Sequence, residues 1–281
     1  MGKIRLICQI LFAAITNGHL VGFLNGKIYK GKLKSVCVPG LSCYSCPGAL
    51  GACPIGSLQG MMGSPEYRMT FYVIGTLILI GATLGRVVCG WMCPFGLVQD
   101  LLYKIPLFKK IKNLPRHNVL KYIKYIILIV FVILMPMYFV DIVGQGSPWF
   151  CKYICPSGTL FAGIPLTIGN SLLRRAIGWI FFWKNMILLT TVLLSIKVYR
   201  PFCKYICPLG AIYGCFNPVA LYRYKIDDNK CIQCGECKNK CPMDITTFEY
   251  PNSTECIRCG ECIKACPKYA IQTTIKMIKK Q

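Results

Sequence analysis

The sequence is poor in charged residues, and acidic residues are the scarcest of them. Only 15% of the 281 residues are charged, and 10 Asp and Glu stand against 33 Lys and Arg, giving a formal net charge of +23. The basic residues are spread through predicted loops and form no groove-like cluster, which favours lipid headgroups over nucleic acid as their partner. With 54% hydrophobic residues, the composition is typical of a membrane protein with a modest soluble part.

Histidine and the common cofactor motifs are also scarce. His19 and His117 are the only histidines, and the pattern of apolar runs puts them near opposite membrane faces, so they cannot ligate one haem b as a pair. The sequence contains no Gly-rich nucleotide fingerprint, catalytic triad or flavin-attachment signal. No catalytic residue is therefore assigned, and an electron-transfer subunit is favoured over a stand-alone enzyme.

Cysteine, by contrast, is abundant, with 20 residues. Two runs near the C-terminus share the spacing C-x2-C-x2-C-x3-C-P, in which three thiolates bind one iron–sulfur cube and the fourth serves the other cube. The predicted ligands are Cys231, Cys234, Cys237 and Cys266 for cluster 1, and Cys256, Cys259, Cys262 and Cys241 for cluster 2. The alternatives are paired zinc sites or a disulfide knot, which the duplicated order of the cysteines disfavours.

Four apolar runs precede the two cysteine runs and predict four transmembrane helices, at residues 6–24, 69–88, 122–140 and 177–196. Because iron–sulfur assembly is cytosolic, we expect both termini in the cytoplasm, in a multi-pass protein of a prokaryotic inner membrane. A modest excess of Lys and Arg on that side agrees with this orientation. Arg86 and Lys184 lie within apolar stretches and are expected to extend their charged ends toward the membrane surface, with a role in quinone binding or in tuning a cluster as the alternative.

A short motif, Cys-Pro-x-Gly, follows each apolar run or its neighbouring loop. Its four copies begin at Cys53, Cys93, Cys155 and Cys207. Proline suits the first position of a helix, so each cysteine should lie at a helix N-terminus, where the dipole favours a thiolate. The repeat predicts a membrane α-helical domain of two duplicated halves over residues 1–221. A C-terminal α+β dicluster ferredoxin domain follows over residues 222–281.

The duplication sorts the remaining cysteines into two predicted membrane sites. The inner site comprises Cys89, Cys93, Cys203 and Cys207, and the outer site draws on Cys37, Cys43, Cys46, Cys53, Cys151 and Cys155. Four thiolates make a full cubane set. Six exceed one cluster, so we expect Cys53 and at least Cys46 to join Cys151 and Cys155, with Cys37 and Cys43 either completing the ligand set or serving a second metal centre. Buried thiols at the inner site and disulfides at the outer site are the alternatives, and Cys8 and Cys215 are expected to be plain buried cysteines.

The distance between the predicted inner and outer sites bears on where the outer cysteines lie. Sites at opposite faces of a hydrocarbon core about 30 Å thick would be too far apart for useful electron transfer. We therefore expect the outer ligands to dip into the membrane on short re-entrant segments, at residues 56–63 and 158–169.

The motifs resemble those of a known family, the membrane-bound 4Fe-4S polyferredoxins. This family includes the quinol-dehydrogenase membrane subunit of periplasmic nitrate reductase and the membrane part of the nitrous-oxide-reductase maturation protein. The resemblance covers nearly the whole chain and rests on the four spans, Cys89-x3-Cys93-Pro94, Cys203-x3-Cys207-Pro208 and the double ferredoxin run. It implies cytoplasmic ferredoxin clusters and an electron path to or from an extracytoplasmic partner. The additional outer cysteines depart from the simplest members.

The sequence therefore predicts an integral membrane protein that passes electrons between the ferredoxin module and the membrane or its outer face through [4Fe-4S] clusters. Redox proteins on the cytoplasmic and outer faces are the expected partners. A quinol or quinone oxidoreductase subunit, a redox-sensing or maturation factor and a thiol–disulfide conduit are the alternatives. The eight ferredoxin cysteines argue against a device based on thiols alone.

Overall fold

Helices dominate the chain, as its apolar runs predict. The computed structural model describes residues 2–63, 70–140 and 145–274. The first helices are α1 Lys3–Thr16, α2 Val21–Asn25, α3 Pro54–Met62, α4 Thr70–Leu84, α5 Val87–Trp91 and α6 Pro94–Lys104, with a 3₁₀ turn at Lys32–Ser35. Residue 69, where the second span was predicted to begin, and residues 275–281 of the predicted ferredoxin domain lie outside the described residues.

The second half of the chain continues with helices and ends in a small α+β module. The helices are α7 His117–Tyr138, α8 Phe150–Ile154, α9 (the consecutive segments Pro156–Gly158, Thr159–Gly163 and Ile164–Gly169), α10 Ser171–Arg175, α11 Trp179–Lys197, α12 Pro201–Tyr205 and α13 Pro208–Phe216. The module contains strand β1 Tyr224–Ile226, helices α14 Glu236–Asn239 and α15 Glu261–Ala265, and strand β2 Ile271–Thr273.

Two helices, α7 and α11, are long and apolar enough to cross a membrane, and a third apolar helix, Phe71–Leu84, is shorter. They coincide with three of the predicted spans. The first predicted span is broken, because α1 ends at Thr16 and α2 begins only at Val21. The four-span topology stays a prediction.

Helix α1 has the reverse of the usual amphipathic arrangement. Its buried residues are Arg5, Gln9 and Thr16, whereas apolar side chains such as Ile4 and Ile15 are exposed, by 72% and 68%. A helix on the surface of a soluble domain packs its apolar stripe against the core. Because α1 packs its polar face inward, its outer face is suited to an apolar environment.

A buried ionic cluster holds α1 against the rest of the protein. Asp100 on α6 accepts hydrogen bonds from Arg5 of α1, at 2.9 Å, and from Arg200 Nε just before α12, at 2.7 Å. Burial alone would raise the pKa of the Asp100 carboxyl, but the guanidinium groups of Arg200 and Arg5 outweigh it and lower this pKa below its usual value. One carboxylate therefore connects three helical segments.

A second ionic cluster fixes the ferredoxin module to the helices. Glu255 accepts hydrogen bonds from Arg86, at 3.0 Å, and from Lys124 of α7, at 2.5 Å. Arg86 also donates to the Thr254 carbonyl, at 2.7 Å. Its side chain is 0% exposed, so the expectation that Arg86 reaches toward the membrane surface is wrong. A buried carboxylate of the module meets its charge instead.

The ferredoxin module reproduces the internal duplication of its sequence. Strands β1 and β2 pair antiparallel, with Ile226 opposite Ile271. Gly235 and Gly260 precede α14 and α15 with φ of 74° and 80°, and this left-handed conformation is readily adopted by glycine. Each cysteine run therefore turns through a tight glycine bend into a short helix.

The Asp100 cluster yields a stability prediction. Asp100→Asn leaves two buried guanidinium groups without their counter-ion, and we expect destabilisation by about 3–5 kcal/mol. Thermal unfolding of the purified protein in detergent measures the change. Asp227→Asn is the control, because the ion pair of Asp227 with Lys230 is largely exposed and asparagine can still accept the hydrogen bonds that Asp227 takes from the backbone N–H groups of Asn229 and Lys230, so the melting temperature should be unchanged. Equal melting temperatures for Asp100→Asn and the wild type would refute the proposed role of the cluster.

Candidate metal centres

The ferredoxin module gathers its eight cysteines into two groups. Cys231, Cys234, Cys237 and Cys266 line a single cavity. In the second group, burial and the neighbouring thiols Cys256, Cys259 and Cys241 raise the pKa of Cys262 above its usual value. Each group takes one cysteine from the other run, in the arrangement that the spacing predicts. Ligation by these particular residues stays a prediction.

The inner site lies where α5, α6, α12 and α13 meet. Cys89, Cys93, Cys203 and Cys207 are all buried. Burial and the neighbouring thiols Cys203, Cys89 and Cys93 raise the pKa of Cys207 above its usual value. A buried thiol stays protonated unless a metal takes the place of its proton. The four side chains thus form a compact group whose chemistry suits a metal cluster.

The Cys-Pro-x-Gly motif has a structural explanation. Each of its four cysteines is the residue immediately before a helix, with proline at the first helical positions, so the predicted helix N-termini are confirmed. At the inner site the glycine makes room for arginine. A Cβ atom on Gly96 would lie 3.2 Å from the guanidinium carbon of Arg200, and one on Gly210 would lie 3.2 Å from Arg86 Nη2.

Two arginines cross between the halves at the inner site. Arg86 precedes Cys89 by three residues and donates to the carbonyl of Cys203, at 3.1 Å. Arg200 precedes Cys203 by three residues and donates to the carbonyl of Cys89. Both guanidinium groups are buried. Their positive charge favours thiolates and an anionic cluster at this site.

The outer site is a cavity of about 670 Å³ lined by Cys43, Cys53, Cys151 and Cys155. Lys184 also lines it and donates from Nζ to the Cys151 carbonyl, at 3.1 Å, so its charged end points to the site. The Ser157 hydroxyl is buried there without a hydrogen-bond partner among the described residues. A cluster rich in sulfur would give these polar groups an acceptor, so the side chains present fit such a group.

The remaining cysteines lie apart from this cavity. Cys37 is buried and pairs through its backbone with Ala52. Cys46 is buried and is not among the residues that line the cavity, whereas Cys43 is; which of the two binds metal stays a prediction. Cys8 is partly buried. Cys215 is exposed, so the expectation that it is a plain buried cysteine is wrong.

Contacts between chain segments join the inner site to the outer cavity on one side and to the second cysteine group of the ferredoxin module on the other. A Cβ atom on Gly40 would lie 3.2 Å from the Cα atom of Cys93 at the inner site, and Leu41 and Cys43, which follow closely in the chain, line the outer cavity. On the other side of the inner site, Trp91 Nε1 donates to the Arg258 carbonyl, at 3.0 Å. A Cβ atom on the glycine after Cys89 would meet the Ile257 carbonyl oxygen at 2.3 Å.

Across the described ranges, no three His, Cys, Asp or Glu side chains converge tightly enough to hold one metal ion. A cubane differs from a single ion, because each of its thiolates binds a different iron atom.

Comparison with protein families agrees with this chemistry. A 4Fe-4S binding domain matches residues 67–115, 124–180 and 176–223, and a 4Fe-4S dicluster domain matches residues 223–267. The chain belongs to the polyferredoxin family. As a polyferredoxin it binds [4Fe-4S] clusters and is an electron-transfer protein of the ferredoxin type. No solved structure matches the chain.

Relatives of this polyferredoxin occur in archaea and bacteria. An uncharacterized protein of Methanocaldococcus jannaschii is 36% identical over 199 residues, covering 68% of this chain and 71% of the relative. The ferredoxin-type protein NapH of Haemophilus influenzae is 26% identical, over 62% of this chain and 54% of its own length. The methylamine utilization ferredoxin-type protein MauN of Methylobacillus flagellatus is 25% identical, over 67% and 60%.

Sequence reasoning missed two residues at these sites, Gln59 and Gln99, whose side chains donate hydrogen bonds to cysteine sulfurs. A signal for them was present. The first two motif copies extend to Cys-Pro-x-Gly-x-x-Gln, at residues 53–59 and 93–99. The other two copies follow an identical run, Phe-Cys-Lys-Tyr-Ile-Cys-Pro, at residues 150–156 and 202–208.

The outer cavity yields a prediction about metal content. Cys43→Ser should lower the iron and acid-labile sulfide of the anaerobically purified protein by the equivalent of one cluster, because Cys43 lines the cavity. Cys46→Ser is the matched control from the same loop and should retain full iron content. If the two results are reversed, the outer ligand set contains Cys46 in place of Cys43.

Proposed function

We propose that this polyferredoxin is an integral membrane protein that carries electrons between a cytoplasmic dicluster module and the outer side of the membrane through four [4Fe-4S] clusters. In this proposal the ferredoxin module holds two clusters, the inner cysteines hold a third, and Cys43, Cys53, Cys151 and Cys155 hold a fourth. Each cluster supplies one-electron redox chemistry, accepting one electron from its neighbour and passing one on, with no bond formed or broken.

The observation that carries the proposal is the contact between successive sites. Cys89 and Cys256 lie on segments that touch through Gly90 and Ile257. Cys93 and the outer cavity are joined by the segment that contains Gly40 and Leu41. Sites separated by a full hydrocarbon core of about 30 Å would not conduct usefully. Adjacent sites remove that difficulty and favour a conducting series over isolated sensing clusters.

Membrane insertion is supported by the apolar surface of the helices. Helices α7 and α11 have the length and composition of membrane spans, and α1 turns its apolar side chains outward. In this proposal α3 and α9 are the re-entrant pieces that bring the outer cysteines into the membrane. Irregular backbone at that depth is tolerated where it is buried in protein. Four spans would put both termini on the same side, and the cytosolic assembly of iron–sulfur clusters makes that side the cytoplasm in this proposal.

The exposed edge of cluster 1 suits an acidic redox protein. Cys234 is exposed, and the neighbouring Ile232 is 60% exposed. Lys230 and Lys268 line the same cavity as the cluster 1 cysteines. A partner with carboxylates around an apolar centre would match this surface, and the complementary charge would accelerate their encounter.

A second candidate function, quinone oxidoreduction, is favoured by one groove. A largely apolar cavity of about 510 Å³ lies between α7 and α11 and is lined by residues that include Trp183 and Tyr205. The Tyr205 hydroxyl lies 3.1 Å from Nδ1 of His117. Quinol-dependent reduction of the clusters that is abolished by Tyr205→Phe, with iron content unchanged, would favour this candidate.

The series of sites predicts where an interruption stops electron flow. Cys89→Ser should remove the inner cluster, and a reduced donor acting on the ferredoxin module should then fail to reduce the outer cluster. Stopped-flow absorbance with freeze-quench EPR measures this, and a small membrane-permeant reductant should still reduce the outer cluster. Cys215→Ser is the control and should behave as the wild type. Normal reduction of the outer cluster in Cys89→Ser would refute the series.

The basic surface predicts a salt-dependent encounter. Combining Lys230→Glu and Lys268→Glu should slow reduction by an acidic ferredoxin about tenfold or more at low ionic strength, because attraction becomes repulsion. The rate difference should shrink as salt screens the charges. Lys225→Glu, another exposed lysine of the module that does not line this cavity, is the control. Equal slowing by the control would show only an effect of overall charge.

A further inference from the structure

Gln59 and Gln99 occupy equivalent positions in the two membrane sites. Each follows the cysteine of its Cys-Pro-x-Gly motif by six residues, on α3 and α6 respectively. Both side chains are almost wholly buried, at 0% and 1% exposed. Buried glutamines in an apolar surrounding are unfavourable unless their amide groups are hydrogen-bonded, so the partners of these two groups show what holds them there.

The partners are the same at both sites. At the inner site, Gln99 Oε1 accepts a hydrogen bond from the backbone N–H of Phe202, at 3.2 Å, while Nε2 lies 3.1 Å from Cys203 Sγ. At the outer site, Gln59 Oε1 accepts from the N–H of Phe150, at 2.9 Å, and Nε2 lies 3.3 Å from Cys151 Sγ. At each site one carboxamide therefore hydrogen-bonds both the backbone N–H of a phenylalanine and the sulfur of the cysteine that follows it.

This arrangement fixes which end of each carboxamide faces the sulfur. A backbone N–H can only donate, so the carboxamide oxygen must face phenylalanine and the NH₂ group must face cysteine. A thiolate bound to iron has no proton to give and can only accept. Each glutamine is thus a neutral, preoriented donor to one cluster ligand.

Each site has only one such glutamine, although each contains two copies of the Cys-Pro-x-Gly motif. Six residues after Cys155 and Cys207, the other two motif copies have Phe161 and Tyr213 in place of glutamine. Gln59 and Gln99 therefore act on the ligand contributed by the opposite half of the protein. Each also donates from Nε2 to the carbonyl four residues earlier in its own helix, but the motif helix does not require this contact, because the other two copies form their helices without glutamine.

We propose that Gln59 and Gln99 are positioning residues that raise the reduction potentials of the outer and inner clusters. A cluster gains one negative charge on reduction, so a hydrogen bond to its sulfur ligand stabilises the reduced form more than the oxidised form. Without the donor, each cluster becomes harder to reduce. This inference rests on the proposed function, since it requires clusters at both membrane sites.

The test is an EPR-monitored redox titration of the full-length, anaerobically purified protein. The signals are first assigned with Cys203→Ser, which should remove the inner signal, and Cys53→Ser, which should remove the outer one. Gln99→Met should then lower the reduced-to-oxidised ratio of the inner cluster at fixed potential by about tenfold, which is 59 mV for a one-electron couple. Gln59→Met should do the same to the outer cluster alone.

Gln9→Met is the matched control. Gln9 is also wholly buried beside the inner site, but its Nε2 donates to the Gly90 carbonyl, at 3.0 Å, and to Asp100, without contacting a sulfur. Its replacement should leave both potentials unchanged. An equal shift in the control, or wild-type potentials in Gln99→Met and Gln59→Met with the clusters retained, would overturn the proposal.

A second measurement, on wild-type protein, tests the proposal even if Gln59→Met or Gln99→Met loses its cluster. In wild-type protein labelled with side-chain ¹⁵N-glutamine, pulsed EPR of the reduced membrane clusters should show a nitrogen hyperfine coupling, and its absence would overturn the proposal. Failure of the proposed function has a different signature. In that case Cys203→Ser and Cys53→Ser would remove no signal at all.

Discussion

An anionic metal centre within an apolar helical protein depends on compensating positive charge, and the crossed guanidinium groups of Arg86 and Arg200 are placed to supply it to a cluster at the inner cysteines. Each arginine comes from one half and binds the carbonyl beside a cysteine of the other half. The motif glycines give them room. Arg86 also binds Glu255 of the ferredoxin module, and Arg200 also binds Asp100, which in turn binds Arg5 of α1. Two buried arginines thus link the inner site to the ferredoxin module and to α1.

The outer site uses the same motifs with a different charge. It repeats the glutamine contact and the Phe-Cys-Lys-Tyr-Ile-Cys-Pro run. In place of two arginines, however, its cavity has one lysine, Lys184. The two sites therefore share the glutamine contact and the cysteine run, while the charged groups around them differ. Because potentials depend on charge and hydrogen bonding around the sulfurs, two similar sites can occupy different steps of one electron path.

The sequence predicted those features that depend on local spacing. The double cysteine run predicted how the ferredoxin cysteines group, and Cys-Pro-x-Gly predicted four helix N-termini, because proline and the helix dipole act within a few residues. Features set by tertiary contacts were not predictable in this way. Nothing near Arg86 in the sequence indicates that Glu255, far along the chain, would meet its charge. That Cys43 lines the outer cavity and Cys46 does not likewise depends on how one loop is folded.

The two salt bridges of Glu255 bear on how electrons would pass from the ferredoxin module to the inner site. Some redox proteins move a cofactor domain between donor and acceptor, and their turnover then depends on how fast that domain diffuses. Here Arg86 and Lys124 hold Glu255, the residue directly before Cys256, in a buried position. The ferredoxin module is thus anchored beside the inner site. Transfer between them would be governed by a fixed gap and should be insensitive to solvent viscosity.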